Sequence, residues 1–383
     1  MRFVGALSEP GFGAIAEFKR RSPSAGDIRP DGDVAAVARA YERAGARAMS
    51  VLVDERFGGS WDDLRAAREA TMLPLLAKGF FSTPEDLSTA RDAGADAVLL
   101  LLRDLPDAAC AALLRTARAM GLDTLVEAHD AAELDRALTL DAPVIGVNAR
   151  DLSTFRIDRR AQLGLLARVP RERIVIAESG IETRAQATAA ELAGASAILV
   201  GSALMRAADP GAKLADIVSR PLVKVCGLTR QADVDAAVEA GADMVGFILA
   251  AESPRRTDSL LAAPDTVLRV AVFVGEAEAT EADLVQLYAR EDGHRSRDAA
   301  LLRDGKRVGT VVDLPWAERD PAHLERARRT QGRVMLAGGL GAGNVAAAVT
   351  AVRPWAVDSA RSTEQSVGVK DHDALRAWVE AAR

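Results

Sequence analysis

Glu17 and Lys19, two residues apart in Ile15-Ala16-Glu17-Phe18-Lys19, form a pair whose types and spacing could do chemistry. Residues 14–19 read as a strand, and on a strand residues i and i+2 point to the same side. A carboxylate and an ammonium therefore share one face among apolar neighbours. Burying a lone charge is costly, whereas an opposite pair is kept when it is hydrogen-bonded or used in catalysis. The turn that follows, Ser22-Pro23-Ser24-Ala25-Gly26, offers hydroxyls and backbone N–H groups of the kind that hold a phosphate. Taken alone, these residues fit an exposed ion pair at an ordinary strand end equally well.

Further candidates stand at the ends of other apolar runs. Lys78 closes one, Glu127 another, and Asn148 a third, with Arg150 just beyond. Glu178-Ser179-Gly180 and Gly201-Ser202 end two more. If these ends meet, two lysines, three carboxylates and an amide share one mouth. That set is suited to general acid–base work on a small molecule.

The elements that must bring them together follow a repeat. Ala44-Gly45-Ala46, Ala93-Gly94-Ala95, Ala193-Gly194-Ala195 and Ala240-Gly241-Ala242 each separate a helical stretch from an apolar run. The glycine suits the left-handed residue that ends a helix, and the run suits a strand buried on both faces. Eight runs lie in the first part, at 14–19, 48–53, 73–77, 97–102, 123–127, 143–147, 173–178 and 197–200. Eight strand–helix units predict a (β/α)8 barrel, whose chemistry sits at the C-terminal ends of its strands. An open doubly wound sheet is the competing architecture, but no Gly-rich dinucleotide turn follows the first strand. In a barrel, the turns after strands seven and eight commonly hold a phosphate. The expectation is an enzyme acting on a phosphorylated small molecule, with no metal or redox cofactor required.

The chain has 383 residues, enough for two or three domains, and is 49% hydrophobic. Its net charge of −6 gives no basic field for nucleic acid. There is no signal-like start at Met1, nor an apolar run long enough to span a membrane. Cys110 and Cys226 build no disulfide framework, and the four histidines have no metal-ligand spacing. A cytoplasmic monomer is expected, with no nucleic-acid or membrane partner. A boundary near Val218-Ser219 divides the chain into domains 1–218 and 219–383, because a second strand series starts at Leu222.

Residues 14–215 resemble indole-3-glycerol-phosphate synthase in six ordered motifs. These are Ile15 to Ser24, Ser50 to Glu55, Leu76-Ala77-Lys78, Leu125 to His129, Ile145 to Leu152 and Ala177 to Ile181. The resemblance implies a lyase of tryptophan biosynthesis that closes an indole ring from carboxyphenylamino-deoxyribulose phosphate, with loss of carbon dioxide and water. It implies Lys78 as general acid for ring closure and Glu127 as the base that assists dehydration. Glu17, Lys19 and Asn148 orient the substrate and its carboxylate, with Lys19 a second acid. Ser22, Arg150, Glu178, Ser179, Gly180, Gly201 and Ser202 bind substrate and phosphate. The family has a few dozen helical residues before the first strand where about 13 stand here, and weaker substrate binding is expected from that. Gly79 takes the place of the usual Asp.

The second half resembles phosphoribosylanthranilate isomerase, known fused in this order. The motifs are Lys224-Val225-Cys226-Gly227-Leu228-Thr229, Gly241 to Phe247, Ser253-Pro254-Arg255-Arg256, Val272-Phe273-Val274, Leu336 to Leu340 and Gly368 to Asp371. The resemblance implies Cys226 as general base, with Arg255, Gly338 and Gly339 binding substrate and phosphate. Ala360-Arg361 departs from the small hydroxyl residues of the family. The half is short, and seven strands are predicted, with a helical stretch after Tyr288. Asp304 reads as a helix end capped by Gly305. Asp313 ends an apolar strand and is the better candidate for the acid. Two tandem (β/α)8 barrels are thus expected, the second incomplete, with isomerase activity weak or absent and any activity present dependent on both Cys226 and Asp313. A non-catalytic second domain is the alternative, and another phosphate-handling barrel is the third reading.

Overall fold

The computed structural model describes residues 1–22, 26–151, 154–314 and 320–383. It divides into two compact units, Met1–Glu182 with Ala190–Val218, and Thr183–Ala189 with Ser219–Arg383.

The first unit is a closed barrel of eight parallel strands. They are β1 (Gly13–Phe18), β2 (Ala48–Leu52), β3 (Leu75–Lys78), β4 (Ala97–Leu101), β5 (Asp123–Ala128), β6 (Val144–Asn148), β7 (Ile174–Glu178) and β8 (Ala197–Val200). Closure runs through β1, where Ile15 is paired with Leu199 of β8 and with Ala48 of β2. Each strand faces the barrel interior on one side and helices on the other, so β1, β4, β5, β6 and β8 are buried at every position.

Helix starts are encoded locally. Asp33, Ser60, Thr83, Asp130 and Asp158 each accept a hydrogen bond from a backbone N–H two or three residues on. The short helix Arg2–Leu7 lies at the N-terminal end of the strands. Asp123, first in β5, accepts from the N–H groups of Phe3 and Val4 at 3.1 Å each. This helix covers the floor of the barrel, leaving the C-terminal rim to the charged residues.

The second unit is also a closed eight-stranded barrel, which corrects the expected count of seven. Its strands are β9 (Leu222–Val225), β10 (Met244–Ile248), β11 (Leu268–Val274), β12 (Leu284–Glu291), β13 (His294–Arg303), β14 (Lys306–Val312), β15 (Val334–Leu336) and β16 (Ala356–Ser359). The expected helix after Tyr288 is strand β13, antiparallel to both β12 and β14. Two-residue turns make it so. Asp292-Gly293 joins the paired residues Glu291 and His294, and Asp304-Gly305 joins Arg303 and Lys306. All four turn residues have positive φ (48° and 81°, 49° and 72°), the backbone of a type I′ hairpin. Asp304 therefore sits in a hairpin turn, and the helix end read there is wrong. The domain is short because helices are missing, since the connections at 249–267 and 275–283 carry none. Among the described residues, no helix is long and apolar enough to cross a membrane.

Candidate active site

Strand register sets the first site. Leu52 is paired with Lys78, Glu127 with Gly146 and Asn148 with Glu178, so the polar residues fall on one rim. The Lys78 ammonium stands among three carboxylates, 2.5 Å from Glu178 Oε2, 3.6 Å from Glu127 Oε2 and 3.7 Å from Glu17 Oε2. Lys19, one residue past β1, reaches Glu17 Oε1 at 2.6 Å. Two glycines make the room. A Cβ at Gly146 would lie 2.1 Å from Glu178 Oε1, and one at Gly201 would lie 2.4 Å from Glu17 Oε1.

Asn148 is oriented from both ends. Its Oδ1 accepts from the Arg150 N–H at 2.9 Å, and its Nδ2 donates to Glu127 Oε1 at 3.0 Å. Glu178, read from sequence with the substrate-binding groups, is fully buried with its carboxylate on Lys78. Pro23 and Ser24 of the expected phosphate turn lie outside the described residues. Ser22, Arg150, Ser179, Gly180, Gly201 and Ser202 line one cavity of about 300 Å³ with Glu17, Lys19 and Lys78. Ser179 and Gly180 both have left-handed backbones, with φ of 68° and 70°.

Burial and charge set the protonation states. Burial opposes a charge on Lys78, but Glu178, Glu127 and Glu17 outweigh it and raise its pKa above the usual lysine range. Glu127 is held well below the ordinary carboxylate range, because Lys78, His129 and Asn148 overcome its burial. For Glu178 burial wins, with Glu127 repelling a further charge, and its pKa is pushed up to about 8 despite Lys78.

His129 belongs to this site and was missed as a site residue from the sequence, although its motif was noted. Its Nε2 stands 3.0 Å from Glu127 Oε1. The available signal was the Glu-x-His spacing at a strand end, the same rule that singled out Glu17 and Lys19.

In the second barrel Cys226 follows β9 and is buried beside Lys224. Lys224 donates to Gln286 Oε1 at 2.7 Å and to Asp358 Oδ2 at 3.1 Å. A Cβ at Gly246 would lie 2.8 Å from Cys226 Sγ. Burial pushes the Cys226 thiol above its ordinary pKa, against the attraction of Lys224. Asp313 follows β14, where its Oδ2 accepts from Tyr288 Oη at 2.9 Å and lies 3.0 Å from Arg295 Nη2. Arg255 forms a two-pronged pair with Glu364, 2.7 Å at each contact. Cys226, Arg255, Asp313, Gly338 and Gly339 line one cavity of about 520 Å³.

Residues 2–217 match the family model for indole-3-glycerol phosphate synthase, and residues 263–381 that for N-(5'phosphoribosyl)anthranilate isomerase. The chain is 48% identical over 217 residues to indole-3-glycerol phosphate synthase 2 of Streptomyces coelicolor, covering 56% of this chain and 84% of that protein. It is 46% identical over 217 residues to the synthase of Mycobacterium ulcerans, covering 56% of this chain and 80% of that one. A solved structure of TrpF from Jonesia denitrificans is 27% identical, covering 43% of this chain and 97% of that one, with a TM-score of 0.34. The chain belongs to the indole-3-glycerol phosphate synthase family, the carboxy-lyases of tryptophan biosynthesis, and carries a phosphoribosylanthranilate isomerase-like second domain.

Proposed function

We propose that the first barrel closes the indole ring with Lys78 as general acid and Glu127 as general base. The observation that carries this is one buried ammonium facing three carboxylates at 2.5, 3.6 and 3.7 Å. The ring carbon that bears the carboxylate attacks the ketone of the ribulose chain, and Lys78 protonates the ketone oxygen as it becomes a hydroxyl. Carbon dioxide then leaves and the ring regains its aromaticity. In the dehydration, Lys19 supplies the proton with which the hydroxyl departs as water. Glu127 removes a proton from the carbon attached to nitrogen, which completes the indole double bond. Glu17 and Asn148 hold Lys19 and Glu127 in place. Ser22, Ser179, Gly180, Gly201 and Ser202 hold the phosphate, and Arg150 adds a cation at the same mouth. Replacing Lys78 with Ala should cost about 10²–10⁴-fold in turnover with the fold intact by circular dichroism. Near-normal turnover would overturn the assignment.

The second barrel is read as the isomerase, with Cys226 taking the C2 proton and Asp313 protonating the furanose oxygen. The support is their placement on one cavity with Arg255 and the Gly338-Gly339 turn. The protein is read as a cytoplasmic monomer acting on small phosphorylated molecules. Its net charge of −6 supports the absence of a nucleic-acid partner.

A further inference from the structure

Glu127 and Glu133 hold the imidazole of His129 between them. Nε2 stands 3.0 Å from Glu127 Oε1, and Nδ1 stands 3.0 Å from Glu133 Oε2. Glu133 also accepts from the His129 backbone N–H at 2.8 Å. It sits in the first turn of the helix Ala131–Thr139, where Asp130 caps its own N–H. A neutral imidazole has one N–H, and only the imidazolium presents an N–H to both carboxylates. Burial works against that charge, but the contacts to Glu127 and Glu133 raise the His129 pKa to about 9.

The two oxygens of Glu127 have different surroundings. Oε1 receives the amide of Asn148 and the ion pair with His129. Oε2 is buried without a hydrogen-bond partner among the described residues and stands 3.6 Å from Lys78. The approach of His129 is a charge contact and not a linear hydrogen bond, since Nε2 is likewise without a hydrogen-bond partner.

We propose that His129 is a positioning residue for the base. Anchored by Glu133, its imidazolium fixes Glu127 through Oε1 and leaves Oε2 as the oxygen that takes the substrate proton. This rests on the reading of Glu127 as the base. The charged groups facing Glu127 are Lys78 from β3, Glu178 from β7, Glu17 from β1 and His129 itself. Lys78 gives up its proton during ring closure, Glu17 carries the same sign as Glu127, and Glu178 holds its proton up to about pH 8 and offers no positive charge. His129 is then the adjacent cation that keeps Glu127 ionised until dehydration.

The test uses the full chain with His129→Leu, which removes charge and contact, and His129→Gln, which keeps a neutral donor. Synthase kcat and KM are measured from pH 9 down to the onset of acid unfolding, because Glu127 is held well below the ordinary carboxylate range, with Glu133→Gln and Lys78→Ala alongside. His129→Leu should lower kcat on the order of tenfold or more with KM little changed. The acid limb of kcat should move up by about one pH unit in both His129 variants, since each has lost an opposite charge beside a carboxylate. Glu133→Gln should move it in the same direction by less. An unchanged pH profile in His129→Leu, a loss confined to KM, or full restoration by His129→Gln would overturn the proposal. If the variants fail to fold, the imidazole titration in the unaltered protein decides by NMR. A charged ring at pH 8 supports the assignment, and a ring already neutral there overturns it. If Lys78→Ala keeps its turnover, the synthase reading itself fails. If it is inactive while the His129 variants keep the native profile, only the present proposal fails.

Discussion

At the scale of single residues, the site holds more carboxylate than Lys78 alone can neutralise. Lys19 answers Glu17 and His129 answers Glu127, which leaves Glu178 with Lys78 as its only close cation among the described residues. Its pKa of about 8, against an ordinary 4.5, follows from burial first and repulsion from Glu127 second. Between those values the folded chain binds a proton that the unfolded chain has released, so stability falls as pH rises through that window. Above it, an ionised Glu178 holds the Lys78 proton more tightly and makes it a poorer acid. Synthase kcat should therefore decline on the alkaline side with an apparent pKa near 8. Glu178→Gln should abolish that limb and flatten the dependence of urea-unfolding stability between pH 5 and 8. An identical alkaline limb in the variant would show that another group controls it.

At the scale of elements, β6 passes Glu178 so closely that any side chain at Gly146 would displace its carboxylate. The added Cβ would meet the far end of the flexible Glu178 side chain at 2.1 Å, whereas the nearest atom outside that side chain, Leu125 Cδ1, stays at 3.4 Å. Glu178 can swing aside without moving the sheet. Gly146→Ala is therefore predicted to lower kcat about tenfold or more while the melting temperature changes by only a few degrees. A large loss of stability would mean that the strand itself is distorted. The strands of the first barrel were legible because each is buried on both faces and reads as a continuous apolar run. Strand-end positions then placed Glu17, Lys78, Glu127 and Asn148 on one rim. What stayed hidden was pairing across the barrel. Lys78 meets Glu178 over 100 positions of chain, a contact that no local spacing contains. In the second half the stretch after Tyr288, ending in Leu301-Leu302-Arg303, read as helix. The two Asp-Gly turns flanking the segment carried the contrary signal, and turn chemistry decided the outcome over composition.

At the scale of the whole molecule, each candidate site is assembled from side chains of a single unit, so the two activities should be separable by mutation. Cys226→Ala and Asp313→Asn are predicted to remove isomerase turnover and to leave synthase kcat/KM within about twofold, as expected for sites that share no partners. Under the proposal that Cys226 is the isomerase base, its burial works against that role. Burial raises the Cys226 thiol above the ordinary thiol range, and Lys224 only partly offsets this. The thiolate, the form able to take a proton from carbon, is then scarce at pH 7 and grows as pH rises through the alkaline range. Isomerase turnover should accordingly be weak near neutrality and climb steadily between pH 7 and 9. The synthase, with Lys78 held protonated and Glu127 held ionised at pH 7, should show no such rise. The check is to assay both activities on one preparation across that range. A flat isomerase profile, or loss of synthase activity in Cys226→Ala, would count against a buried thiol as the isomerase base.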